Sequence, residues 1–405
     1  MTGRVARLNL LLLYLMEVCS GLSRGSYLVC IGWTTLVVTD DVGRVGQVFI
    51  IAMLTTLLSG PFVGTIVDRH NRAKLVILSH LGIALVLGFL AFVWLARPEP
   101  SIGKLFCAIA AASALRMLHN SAHDGLLQAT VGKTEIIATL ARFRGLHLIF
   151  TAVGTVLVGF VIEWTSPSMG FVFSAGASLV LILPMAFVRN NPINKNSSRS
   201  AEFIADLKSS ATIFLSNRSL RLLALLAAVS LPIGQLSNAI LSSLIRDDLS
   251  KGSDAFGIVD AAWPLGGMLA AGLLATGLRG LSGRNMEYVF ALLAGISTIG
   301  LSLCTTVPFL VLAHGAMGLT VWLCRIVIDG RVLEICLEEN VGRTKAGIEM
   351  AFSFSALVMC FSPTLVKLSN TASYFLFWGG AMVLVSCLIW ILDRARSGDP
   401  VQRKK

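Results

Sequence analysis

The chain has 405 residues, 55% of them apolar and 14% charged, with a formal net charge of +11 and a mean hydropathy of +0.79. A soluble globular chain carries about 25% charged residues, so that class is excluded, and the bulky apolar content excludes disorder. What remains is an all-helical membrane protein. Twelve spans of ~20 residues would use about 240 residues and leave short loops with no second soluble domain.

In chain order, Arg4 and Arg7 precede an apolar stretch from Leu8 to about Val38. It exceeds the ~7–15-residue core of a signal peptide and reads as the first span. Hydropathy and turn signals predict further spans at 45–67, 74–96, 101–123, 138–162 and 168–188. A polar run from Arg189 to Arg199 and an amphipathic piece from Ala201 to Leu215 follow. Six more spans are predicted at 219–244, 255–278, 285–304, 308–330, 346–367 and 372–392. The expected organisation is an N-terminal six-helix lobe (1–190), a cytoplasmic linker with an amphipathic helix (191–217), and a C-terminal six-helix lobe with a short basic tail (218–405).

Charge placement supports this count. With the N-terminus in the cytoplasm, 24 Lys and Arg fall in cytoplasmic segments and 6 in outer ones, while Arg24, Arg116 and Arg325 lie within spans. That is the positive-inside pattern, and it predicts a multi-pass inner-membrane protein with both termini cytoplasmic. The basic excess then belongs to the anionic inner leaflet, and no nucleic-acid partner is expected. The eight cysteines fall almost entirely in apolar runs without C-x-x-C spacing, so they read as small apolar residues with no disulfide framework or zinc site. No phosphate-binding loop is found, which argues against ATP-driven transport by this chain alone. No metal, cofactor or enzymatic activity is expected.

The strongest local signal runs from Gly60 to Lys74: a Gly60/Gly64 small-residue pair, an acid at the helix end, and a tight basic turn. This segment resembles the loop-2/3 signature of the major facilitator superfamily, G-x-x-x-D-R/K-x-G-R-R/K. Gly64, Asp68, Arg69, Arg72 and Lys74 carry the likeness, and Asn71 stands where the family prefers Gly. Asn tolerates left-handed backbone better than most residues, so the turn survives the change. The resemblance implies the twelve-helix, two-lobe major facilitator fold, a monomer, and a conformational latch formed by these residues. In it Asp68 sits against the start of span eleven, near Lys345, gaining about 0.3–1 kcal/mol from the helix end. Gly266, Gly267, Gly272 and the basic turn Arg279 to Arg284 echo the motif in the second half without the acid. The amphipathic stretch before span seven and the run from Arg218 to Arg246 resemble the branch with macrolide-type and enterobactin exporters. The Gly-Pro signature of many antiporters is missing from span five, where only Gly154 and Gly159 remain.

Ionisable residues within spans cost at least ~2.5–3.5 kcal/mol each, which makes them functional candidates. Glu17 lies roughly 14 Å into span one and Arg116 roughly 17 Å into span four, both near the midplane. The resemblance places spans one, four, seven and ten around a central cavity, so Glu17 is expected to bind the coupling proton with Arg116 as its partner. Arg24 lies further out as a contact for anionic substrate, and His119 follows Arg116 on the same helix. A static ion pair joining spans one and four is the alternative. Gln235, Ser237 and Asn238 follow Pro232 and are expected to line the cavity if that helix is broken. Asp260, Arg325 and Asp329 read as interfacial, and Glu349 as a cap of span eleven. His119, His147 and His314 read more simply as polar residues of a packed bundle.

Gly21-Leu22-Ser23-Arg24-Gly25 matches the G-x-S-x-G nucleophile motif. That motif needs a strand-to-helix turn, and this segment is mid-span, so the glycines read as a helix contact instead. The expected function is secondary active transport by alternating access. The resemblance implies proton-coupled export of a medium-sized organic compound such as a drug, siderophore or secondary metabolite. A lysophospholipid transporter of the same fold, an importer, and a non-transporting membrane sensor or enzyme are the alternatives.

Overall fold

Apolar runs separated by one or a few polar residues leave room for little except helix, joint and helix. The computed structural model describes residues 3–96, 102–130, 136–188, 217–275, 285–335 and 341–397. The first half holds α1 (Gly3–Thr39), α2 (Val42–Arg69), α3 (Arg72–Ala96), α4 (Ile102–Thr130), α5 (Ile136–Trp164), α6 (Pro167–Val180) and the short α7 (Ile182–Ala186). The second half holds α8 (Arg218–Ser230), α9 (Ile233–Ser243) with a π-helical turn at Leu244–Asp248, and α10 (Ser253–Ala275). It continues with α11 (Met286–Ser302), α12 (Val307–Ile335), α13 (Val341–Leu365) and α14 (Ala372–Ser397).

The two interrupted spans have the same cause. Pro184 cannot return a hydrogen bond to Val180, where α6 ends, and Pro232 cannot return one to Ala228 near the end of α8. Counting α6 with α7, and α8 with α9, as single crossings gives twelve transmembrane helices. Ten are long and apolar enough by themselves, and α1 and α11 complete the set. Each overlaps one predicted span; α13 starts five residues before the predicted edge. The expected linker at 191–217 lies, except for Asn217, outside the described residues. Asn217 itself caps α8, its Oδ1 accepting from Ser219 N and Leu220 N.

The joints follow from local chemistry. Asp40 adopts a φ of 50° between α1 and α2, and Asp41 then caps α2 by accepting from Gly43 N at 2.8 Å. Between α2 and α3 only His70 and Asn71 intervene. Asn71 is not among the residues with positive φ, which corrects the expectation of a left-handed turn there. Its Oδ1 accepts from Lys74 N at 3.1 Å, so this residue serves as the N-cap of α3. Replacing such a cap costs about 1 kcal/mol. Asn71→Ala is therefore expected to lower the melting temperature of the purified protein modestly, read by scanning fluorimetry.

The helices form two compact units: Met1–Ala201 with Asn238–Pro264, and Glu202–Ser237 with Leu265–Lys405. In the first, α1 crosses α5 closely because glycines line the contact. A Cβ on Gly21 would stand 2.7 Å from the His147 carbonyl oxygen, one on Gly154 2.5 Å from that of Leu22, and one on Gly25 would collide with that of Thr151. Small residues at such crossings let membrane helices gain dispersion contact that lipid would otherwise supply. The segment Asn238–Pro264 joins this unit through Gly257, which meets Gly159 and Thr155 on α5. Glu163 caps α10 by accepting from Ser253 N at 2.8 Å and Ser253 Oγ at 3.0 Å. Arg246 donates to the Leu36 carbonyl at 2.9 Å and pairs with Asp40. In the second unit α11 packs on α14 where Gly295 meets Gly379, and Gly266 of α10 fits against Gly315 of α12. Outward residues such as Phe92, Leu183, Leu384 and Ile391 are exposed, as the lipid-facing side of spanning helices requires.

Candidate functional site

Residues 17, 21 and 25 fall four apart and therefore share one face of α1. The glycines on that face bring α5 close, and the same face aims Glu17 at it. His147 Nδ1 lies 3.0 Å from Glu17 Oε2, and from α4 His123 Nε2 lies 3.0 Å from Oε1. Each carboxylate oxygen thus has its own imidazole. Thr151 Oγ1 donates to the His147 carbonyl at 2.8 Å. Glu17 and His123 are buried, whereas the His147 side chain keeps 25% of its exposure. A buried carboxylate persists only when paired, and this one is paired twice.

One turn before His123 on α4 stands His119. Its Nε2 lies 3.3 Å from Ser20 Oγ and its Nδ1 lies 3.1 Å from His80 Nε2 of α3. The His80 and His119 rings meet edge to face at 4.5 Å, and those of His119 and His123 stack at 5.9 Å. His80 Nδ1 is buried with no hydrogen-bond partner. Four helices therefore hold a row of three imidazoles, with His147 on the far side of Glu17.

Arg116 does not pair with Glu17 as expected. Its Nη2 donates to the Ser23 carbonyl at 3.3 Å and its Cζ lies 4.3 Å from the centre of the Tyr27 ring. The reason is antiparallel register. Glu17 is level with His123, so Arg116, seven residues back on α4, is level with residues about seven further along α1, roughly 10 Å away. Arg24 lies at that same level. Ser23 shares a hydrogen bond with Ser178 Oγ at 2.7 Å, and Gly21 and Gly25 pack on α5, so the G-x-S-x-G match is a helix contact.

Other sequence candidates fall elsewhere. Ser237 Oγ meets His314 Nε2 at 2.9 Å in the second unit, with Gln235 half-buried two residues before it, while Asn238 belongs to the first unit and is half-buried. Gly64 and Asp68 lie in the last turns of α2, their side-chain positions outside the described set; Arg69 and Lys74 are exposed and Arg72 is half-buried. Glu349 does not cap span eleven. It lies eight residues inside α13 and pairs with Arg325, which also lies 3.9 Å from Asp329. Asp260, expected at an interface, is buried on α10. Sequence reasoning missed His80 and His123. The available signal was spacing: Arg116, His119 and His123 follow an i, i+3, i+7 pattern that places them along one stripe of α4.

The sequence pattern of the Major Facilitator Superfamily matches residues 13–284. Comparison with curated proteins finds no match. Among solved structures, the chain is similar to the nucleoside transporter NupG, with a TM-score of 0.76, 16% identity, and 94% of this chain and 98% of that one covered. A point mutant of NupG gives a TM-score of 0.76 at 14% identity, with 94% and 99% covered.

Proposed function

Because the chain belongs to the Major Facilitator Superfamily and is a membrane transporter of small molecules, we propose that its transport is proton-coupled and that Glu17, His123 and His147 hold the coupling proton. The observation that carries this reading is the carboxylate with an imidazole nitrogen 3.0 Å from each oxygen. With both imidazoles neutral, the triad has a charge of −1. Uptake of one proton brings it to zero and of a second to +1, with both imidazoles staying within 3.0 Å of the carboxylate. The stack of His119 on His123, and the bond from His119 to His80, extend the polar row toward α3.

The cargo in this reading is a medium-sized organic compound, and the direction is export. The resemblance of the stretch around span seven to the exporter branch supports that direction, with import as the alternative. The solved relatives are titled nucleoside transporters, and at their identity the likeness is one of fold. The latch of Gly64, Asp68, Arg69, Arg72 and Lys74 biases the two access states, and the protein works as a monomer in the inner membrane with both termini cytoplasmic.

The test uses purified protein in liposomes containing a pH-sensitive dye. A macrolide, a catecholate siderophore and a nucleoside are offered in turn under pH gradients of both signs. Movement of one compound, accelerated by a gradient opposite to its own direction of travel, is the expected result. Transport of any of them at a rate indifferent to the gradient overturns proton coupling, and acceleration by a gradient of the same direction overturns export.

A further inference from the structure

Seven residues beyond Glu17 on α1, and seven before His123 on α4, the same unit holds two arginines with no acid beside them. Arg116 stands 14 residues from either end of α4 (Ile102–Thr130) and Arg24 stands 15 residues before the end of α1, so both lie roughly 20 Å from those helix ends. Among the described residues no carboxylate pairs with either one. Arg325, the third arginine predicted within a span, has Glu349 and Asp329. Arg24 and Arg116 instead lie at the same level of two adjacent antiparallel helices. Arg116 is steadied by the Tyr27 ring at 4.3 Å and the Ser23 carbonyl at 3.3 Å, yet its Nε is buried with no hydrogen-bond partner. The groups placed around them are not carboxylates: Ser23, Tyr27 and Ser113 are buried beside them. Glu17 is occupied by its own two imidazoles.

Two guanidiniums at mid-span represent a large desolvation cost, and among the described residues no opposite charge offsets it. Both residues are only half-buried, whereas Ser23, Tyr27 and Ser113 are buried. A guanidinium facing lipid at this depth would be more costly than one facing a polar group or ligand. Guanidinium forks match the geometry of carboxylate and phosphate oxygens, and the Tyr27 ring adds an apolar surface beside them.

We propose that Arg24 and Arg116 bind the acidic head group of the transported compound, which is an organic carboxylate or phosphate, with its body against Tyr27. This rests on the transporter reading above and gives it a substrate class. Binding of such an anion removes the repulsion between the two arginines, and a dianion cancels it fully. A cationic drug would add a third positive charge, and a neutral nucleoside would leave both in place. The site therefore selects against both.

The test is thermal unfolding of the purified full-length protein in detergent at fixed ionic strength. The probes share one ring and differ in head group: phenyl phosphate, benzoate, benzyl alcohol and benzylamine, with inorganic phosphate as a fifth. A ligand that binds only the folded state raises the melting temperature with its concentration. Phenyl phosphate and benzoate are expected to stabilise, phenyl phosphate the more, and benzyl alcohol and benzylamine to have no effect. Arg24→Gln and Arg116→Gln are each expected to weaken the response to the anions tenfold or more. Arg24→Gln should also melt no lower than the parent without ligand, because it removes a charge that has no partner, and it carries the test even if Arg116→Gln fails to fold. Stabilisation by benzylamine or benzyl alcohol equal to that by the anions would overturn the proposal, as would an undiminished anion response in Arg24→Gln. An equal response to inorganic phosphate and phenyl phosphate would overturn the organic substrate class. The measurement uses neither a bilayer nor a pH gradient, so its outcome is separate from that of the proton-coupling experiment.

Discussion

Glu17→Gln is expected to reduce gradient-driven transport at least a hundredfold while leaving the exchange of substrate between equal concentrations on the two sides intact. Glutamine has the shape of a protonated glutamate. It can still accept from His147 Nδ1 and offer a hydrogen bond to His123, so neither imidazole is left without a partner. What it cannot do is change charge. A transporter fixed in the equivalent of its protonated state can carry substrate in both directions, but it has lost the thermodynamic link between cargo and proton. Counterflow and pH-jump assays on the same proteoliposomes separate the two activities. Correctly inserted Glu17→Gln with normal gradient-driven transport would remove Glu17 from the coupling step. His147→Gln and His123→Gln, which keep a polar group on either flank, should displace the pH profile of transport rather than abolish it.

The second large effect concerns folding. Gly25→Ala is expected to destabilise the protein by about 3 kcal/mol, toward the upper end of what overpacking costs in a tight interior. The new methyl would collide with the Thr151 carbonyl, which is backbone and cannot swing aside. Relief requires α1 and α5 to separate, and that would also pull His147 away from Glu17. Gly88→Ala on α3 is the matched control, because a Cβ there meets nothing within 4 Å. It exchanges glycine for a better helix former and is expected to be neutral or stabilising by up to about 1 kcal/mol. Fluorescence-detected size-exclusion and melting temperatures of the two variants read the difference directly.

Which of these features could be read from the chain alone follows from their range. Spans are local: apolar runs between polar joints predict each of the twelve crossings, and Pro232 reads in advance as a possible break, whereas Pro184 is not singled out. Glu17 and Arg116 stand out because charge inside a span is rare. Their partners could not be found the same way, because pairing depends on how two antiparallel helices are offset. A shift of seven residues moves a side chain about 10 Å along the axis, enough to exchange Arg116 for His123 as the neighbour of Glu17. His123 and His80 are passed over because a search for formal charge inside a span singles out Glu and Arg and leaves histidine aside. Asp260 and Glu349 show the converse: position along a helix places a residue in depth but says nothing of which side it faces.

Two helices belong to both compact units. The seventh crossing changes allegiance between Ser237 and Asn238, a turn and a half past Pro232, and α10 does so between Pro264 and Leu265. Pro264 has no N–H to offer the Asp260 carbonyl one turn earlier, so the ladder of α10 lacks a rung at the place where the helix passes from one body to the other. On α10 the missing bond sits one turn from the buried Asp260. In each of these helices a proline leaves the backbone ladder one hydrogen bond short within a turn and a half of the unit boundary.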